Sequence, residues 1–242
     1  MSLFSPAQQW WRALTATQRK CGLSLVVAGS LLASAGAVLL QPPEIEDLSD
    51  ENRHELPKLK ALWKQGNVVV LVRHLERCDK EDYPCLEGTD GITARSVPAG
   101  QSLAESFSRL GLSTTDIYNS PLTRTAQTEK IVFNDTGVDQ DWLYQCRETM
   151  LSDAIARKKP GKNLVLVTHS SCISEFEEAL GYDSETPEYG ASLFFSTVDE
   201  PGSLGVLGFL DVEDWTNALG SPTPEVASRS TRIHAASQPV QP

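Results

Sequence analysis

Val68-Val69-Val70-Leu71-Val72-Arg73-His74-Leu75-Glu76-Arg77-Cys78-Asp79 is the stretch from which the fold can be read. Five apolar residues, four of them valine, describe a strand buried on both faces, of the kind found inside a parallel sheet. The run stops abruptly at Arg73-His74. Open α/β sheets gather their ligands beyond the carboxyl ends of the strands, so a guanidinium and an imidazole at that point are candidates for chemistry. By itself the dipeptide reads equally well as a strand surfacing into a charged loop.

The rest of the chain adds similar endings. Asn163-Leu164-Val165-Leu166-Val167-Thr168-His169 follows the Pro160-Gly161 turn and is a second buried strand ending in histidine, with Ser170-Ser171 capping a helix over Cys172 to Leu180. Asp116 to Ser120 reads as a short strand. It leads into Pro121-Leu122-Thr123-Arg124-Thr125-Ala126-Gln127-Thr128, where proline suits a first helical turn and Arg124 falls near a helix amino terminus that favours anions. Val138 to Cys146 reads as another strand, followed by Arg147-Glu148 and a helix from Met150 to Arg157. Helices are also expected over Leu48 to Gly66, with Leu59, Leu62 and Trp63 as its apolar stripe, and over Thr93 to Leu110, stopped by Gly111. Ser192 to Val198 and Gly205 to Val212 flank Glu200-Pro201-Gly202-Ser203 as a hairpin at the sheet edge. The fold class is therefore α/β, a three-layer sandwich on a mostly parallel sheet.

A formal charge of −11 over 242 residues argues against a nucleic-acid surface and requires any anionic substrate to be met by a local arginine cluster. Residues 1–20 are basic. Residues 21–40 run without a charge for long enough to cross a bilayer, and the acidic residues 41–47 follow, so the amino terminus stays in the cytoplasm and the rest crosses the inner membrane. Ala33-Ser34-Ala35 resembles a cleavage site. Because the apolar run continues through Val38-Leu39-Leu40, an uncleaved anchor is the preferred reading over a removed signal and a soluble periplasmic protein. The domain then occupies 48–215, and 216–242 reads as a disordered tail. Of five cysteines, Cys78, Cys85, Cys146 and Cys172 lie in the domain, and in an exported protein they suggest two disulfides among three possible pairings. The acidic loop from Asp79 to Gly91 lacks the spacing of a calcium loop; closure by Cys78 and Cys85 is the simpler idea.

Arg73-His74, Ser120-Pro121-Leu122-x-Arg124-x-x-Gln127-Thr128 and Thr168-His169, in that order, resemble the three motifs of the histidine phosphatase superfamily, the phosphoglycerate mutase-like fold. The chain departs from the usual pattern at Leu75 and at Ser170-Ser171, where glycines are common. Glu76-Arg77-Cys78-Asp79, Gly91-Ile92-Thr93 and Gln145-Cys146 look like an exported branch that acts on phosphorylated sugars of the lipopolysaccharide core and keeps cysteines at the same four places. The resemblance implies hydrolysis of a phosphate monoester through phosphohistidine: His74 as nucleophile, His169 holding an oxygen, Arg73 and Arg124 gripping phosphate, and Glu148 as the acid, with Glu76 as its alternative; Arg77 is a third cationic contact or else pairs with Asp79 or Glu81. It supports disulfides among the four cysteines, for which Cys78–Cys85 and Cys146–Cys172 is the expected pairing; no Gly-rich phosphate loop or metal-ligand spacing occurs, so no metal or other cofactor is implied. The rivals are a mutase and a catalytically silent phosphate-binding or scaffold protein.

Overall fold

The computed structural model describes Thr15, Thr17 and residues 41–146, 148–198 and 204–220. The charge-free stretch 21–40 and the tail beyond 220 lie outside the described residues. Among the described residues no helix is long and apolar enough to cross a membrane. The chain divides into two units at Pro43/Glu44, and the second carries all the chemistry.

That unit is built on six strands: β1 (Val68–Arg73), β2 (Thr115–Asn119), β3 (Val138–Asp139), β4 (Asn163–Thr168), β5 (Ser192–Ser196) and β6 (Gly205–Leu210). They lie in the order β3-β2-β4-β1-β5-β6. β3, β2, β4 and β1 pair in parallel, whereas β5 runs against both β1 and β6, so the sheet is mixed. The two strands read from sequence as buried, β1 and β4, are neighbours at its centre, and the β5–β6 pair forms the expected edge.

Alternation along the central strands divides the core. Val68, Val70, Val72, Val165 and Val167 face one side with α1 (Leu56–Lys64), α2 (Val97–Leu110), α3 (Thr123–Phe133) and α6 (Trp215–Leu219). Val69, Leu71, Leu164 and Leu166 face the other with α4 (Met150–Arg157) and α5 (Ser170–Ala179). Asn163, fully buried, fixes the central register: its Oδ1 accepts from Val68 N–H at 3.1 Å and its amide donates to Trp63 O at 2.8 Å.

Several boundaries differ from the sequence reading. The first helix begins at Leu56, because Asp47 accepts from the amide and hydroxyl of Ser49 and holds the preceding residues in a turn. The expected strand over 138–146 is only two residues long and passes at once into a 3-10 turn at Asp141–Leu143. His169, not a serine, occupies the cap of α5. Residues 46–48 do not form a free linker: Leu48 N–H donates to Phe209 O and Phe209 N–H to Glu46 O, extending the sheet edge. Gly208, at φ +133°, permits this, since a Cβ there would lie 2.7 Å from Glu46 O. At the other end α6 continues past the boundary expected at 215, and Arg109 reaches Leu219 O at 2.8 Å.

Both disulfides pair as Cys78–Cys85 and Cys146–Cys172. The second closes a loop with a sequence separation of 26, and in the chain-entropy account such a closure stabilises by about 3–4 kcal/mol. A Cys146→Ser/Cys172→Ser variant should melt roughly 7–14 °C lower than the parent in a calorimetric scan. An unchanged melting temperature would show that this bridge carries no stability.

Candidate active site

The register assembles the site. Arg73 is paired with Thr168, so the next residue on each strand is a histidine and the two emerge side by side. Their ring centroids lie 5.4 Å apart at 61°. β2 ends one strand further along, and Ser120 N–H donates to Val167 O at 3.0 Å, which places Ser120 beside His169. α3 then starts at Thr123 with Arg124 in its first turn. The amino termini of α3 and α5 thus both lie at this edge, adding partial positive charge to that of the arginines.

The resulting cleft, about 280 Å³, is lined by Arg73, His74, Arg77, Arg124 and His169, together with Lys80, Tyr144, Ser170, Ser171 and Tyr189. The structure therefore gathers both predicted histidines and all three predicted arginines. Arg73 donates to Pro187 O, and its guanidinium carbon lies over the Tyr189 ring, 3.9 Å from the centroid. Arg77 forks onto Asp79, with Nε 2.8 Å from Oδ1, so its charge is largely matched within the loop. Arg124 Nε, Arg73 Nε and His169 Nδ1 are buried and have no hydrogen-bond partner among the described residues. Buried polar groups are nearly always satisfied, and an oxyanion is a ligand that such unpartnered nitrogens around one cleft would fit.

The imidazoles have defined roles. His74, 2% exposed, places Nδ1 2.7 Å from Leu75 O. A carbonyl only accepts, so Nδ1 carries the proton and Nε2 keeps its lone pair for attack. His169, 6% exposed, has Nε2 2.8 Å from Ser120 Oγ. With the serine hydroxyl donating, the His169 proton sits on Nδ1, which has no partner among the described residues.

The motif residues around them hold the backbone. Leu75 N–H donates to Thr128 Oγ1 at 2.9 Å, and Ile92 N–H to Gln127 Oε1 at 2.8 Å. Gln127-Thr128 thereby fastens both the segment after His74 and the loop carrying the first disulfide. Gly91, at φ +111°, allows the approach, since a Cβ would meet Gln127 Oε1 at 2.3 Å. Leu75, which departs from the usual glycine, is accommodated because Gly100 has no side chain: a Cβ there would lie 2.7 Å from Leu75 Cδ1.

Neither predicted carboxylate reaches the lining. Glu148 is exposed in a left-handed conformation at φ 61°, two residues beyond the Cys146 bridge, and the cleft position nearest to it in sequence is taken by Tyr144. Glu76 is held by Arg95 and accepts from Thr93 Oγ1 at 2.7 Å. The Arg95 hydrogen bond draws its pKa below the usual carboxylate range. Sequence reasoning gave no role to Lys80, Tyr144 or Tyr189. The two tyrosines lie in irregular segments with no periodic signal.

Burial pulls both imidazoles from 6.5 down to about 3, with His169 and Arg124 adding to the effect at His74 and Arg124 and Arg77 at His169. Between those values an unfolded chain binds protons that the folded one refuses, so the pair stabilises the fold above pH 6.5 and loses this contribution as pH falls. Glu177, pushed up to about 7 by burial, and Asp211, up to about 6, act in the opposite sense, being neutral in the fold where an unfolded carboxyl is ionised. The opposed contributions blur any global melt. The direct measurement is an NMR titration of the imidazoles from pH 8 to 5, in which His74 and His169 should show no protonation shift. A midpoint near 6.5 for either would refute the buried, neutral assignment.

Paired histidines and arginines at the carboxyl edge of a mixed α/β sheet are the constellation of a histidine phosphatase. No protein-family model matches the chain. The lipopolysaccharide core heptose(II)-phosphate phosphatase of Salmonella typhimurium is 30% identical over 152 residues, 62% of this chain and 74% of the relative. Its counterpart in Salmonella choleraesuis is 32% identical over 119 residues, 48% and 59% of the two chains. Among solved structures, the putative phosphohistidine phosphatase SixA from Agrobacterium tumefaciens superposes with a TM-score of 0.48 at 18% identity, covering 60% of this chain and 99% of its own. The chain belongs to the family of the lipopolysaccharide core heptose(II)-phosphate phosphatases, and it is an enzyme, a phosphoric monoester hydrolase of the histidine phosphatase type.

Proposed function

We propose that the protein is an exported phosphomonoesterase that removes phosphate from a phosphorylated sugar of the lipopolysaccharide core, through a phosphohistidine on His74. The observation that carries this reading is the free Nε2 of His74 beside three buried, unpartnered donors, Arg73 Nε, Arg124 Nε and His169 Nδ1. Nε2 attacks phosphorus as the bond to the sugar oxygen breaks. The arginines, which remain protonated although burial lowers their pKa, meet the equatorial oxygens. Water then attacks the phosphohistidine, releasing inorganic phosphate and restoring the imidazole. The sugar substrate follows from the relatives' names. Export is supported by the two disulfides, which persist in an oxidising compartment, and the apolar residues 21–40 would tether the domain to the inner membrane.

The leaving alkoxide needs a proton. Neither glutamate lines the cleft; of the two, Glu148 is the proposed donor, reaching the leaving group from the rim, because its carboxylate is exposed and has no partner among the described residues, whereas that of Glu76 is committed to Arg95. Glu148→Gln should slow hydrolysis of an alkyl phosphate roughly 10²-fold while sparing an aryl phosphate, whose leaving group needs little help. Equal losses on both substrates would remove Glu148 from that role.

The function is tested by phosphate release from phosphorylated core lipopolysaccharide and from an aryl phosphate, using the full chain in excess chelator. Activity on both, with a large preference for the lipopolysaccharide, is expected. Hydrolysis of the aryl phosphate alone would move the substrate to another phosphosugar, and loss of both activities in chelator would contradict the metal-independent route.

A further inference from the structure

The cleft holds more positive charge than a phosphate monoester requires. The dianion is met by Arg73 and Arg124, and the Arg77 charge is taken up by Asp79. Lys80 remains. It lines the cleft, is exposed, and has no hydrogen bond or ion pair among the described residues, in a chain of net charge −11. Its backbone is held in place. The Cys78–Cys85 bridge closes the segment on both sides of it. Cys78 N–H donates to Gly91 O at 3.1 Å, Leu86 N–H to Ile92 O at 2.8 Å, and Ala94 N–H to Pro84 O at 2.9 Å. Through Ile92 and Gln127 the same loop is fastened to α3, the helix that carries Arg124. A free ammonium is thus displayed at a fixed place on the rim of the phosphate site.

We infer that Lys80 is a specificity-determining residue that reads a second anionic group on the substrate, a carboxylate or a further phosphate carried near the scissile phosphate. The inference rests on the phosphosugar reading of this cleft and narrows it to sugars with more than one acidic group. An ammonium fits this task because, unlike a guanidinium fork, it binds as a point charge on a long stem and accepts either kind of anion.

The test compares glucose 6-phosphate, 6-phosphogluconate and glucose 1,6-bisphosphate, which carry no second anion, a carboxylate and a second phosphate. The full chain should prefer the second and third compounds over the first, through KM more than kcat. Lys80→Ala should reduce that preference roughly five- to tenfold, the size of one charge pair near water, and Lys80→Arg should restore most of it. The preference should also shrink as salt is raised. A gain confined to one compound identifies the source of the anion. The same ratios, measured as Kd by calorimetry on His74→Ala with and without Lys80→Ala, separate recognition from turnover. Absence of hydrolysis with a Lys80-dependent binding ratio would overturn the phosphatase reading for such sugars and support Lys80 as the anion reader. No preference in the parent, or one that Lys80→Ala leaves intact in both assays, would overturn the inference.

Discussion

Replacing His74 by alanine should lower kcat on an aryl phosphate by roughly 10⁴-fold or more, the usual cost of removing a covalent nucleophile. The size follows from the site's division of labour. If Arg73, Arg124 and His169 bind the phosphate as proposed, KM should change little on loss of His74 while the chemical step is lost. The fold should survive, because the cavity opens into the cleft and the neighbouring backbone bonds, Leu75 N–H to Thr128 Oγ1 and His74 N–H to Thr168 O, do not use the ring. Circular dichroism and phosphate binding by the variant are the controls. A folded, phosphate-binding variant with more than a hundredth of the parent activity would exclude His74 as nucleophile.

The second-largest effect is expected at Arg73. Its guanidinium is oriented by Pro187 O and by its place over Tyr189, and its Nε has no partner among the described residues, so on the proposed reading it is available to the phosphate. Removing a positioned donor to a developing oxyanion costs about 10²–10³ in kcat. Arg73→Ala should therefore fall in that range. Arg73→Lys should recover little, since an ammonium can neither stack as a plane nor offer two parallel donors. A lysine variant near parent activity would mean that only net charge matters at this position.

Much of this site was legible in the sequence, for an identifiable reason. β1 and β4 are buried on both faces, so their apolar runs are continuous and their ends abrupt. Arg73-His74 and Thr168-His169 stand at those ends, and a parallel register brings them together. The sequence allowed three pairings of the four cysteines, and the expected one, Cys78–Cys85 with Cys146–Cys172, is present. Elements bound by tertiary contacts were not legible. The segment 138–146 carries apolar residues suited to a strand, but only Val138 and Asp139 pair with β2 before the chain turns to bury Leu143 and Cys146 beneath α5. That turn leaves Glu148 exposed and off the cleft lining, where its expected role as the acid, taken from its position in mutase-like relatives, has no counterpart in hydrophobic periodicity. Lys80 and Tyr189 reach the cleft only because a disulfide-closed loop and the segment before β5 fold over the strand ends, and neither has a signal in hydrophobic periodicity.

The central claim is the covalent intermediate. Rapid acid-free quenching of the full chain during turnover of a ³²P-labelled phosphosugar, followed by peptide mapping, tests it most directly. The expected label is stable to base and labile to acid, located at His74 and absent from His74→Ala. Turnover without any protein-bound phosphate, or a label on another residue, would contradict it.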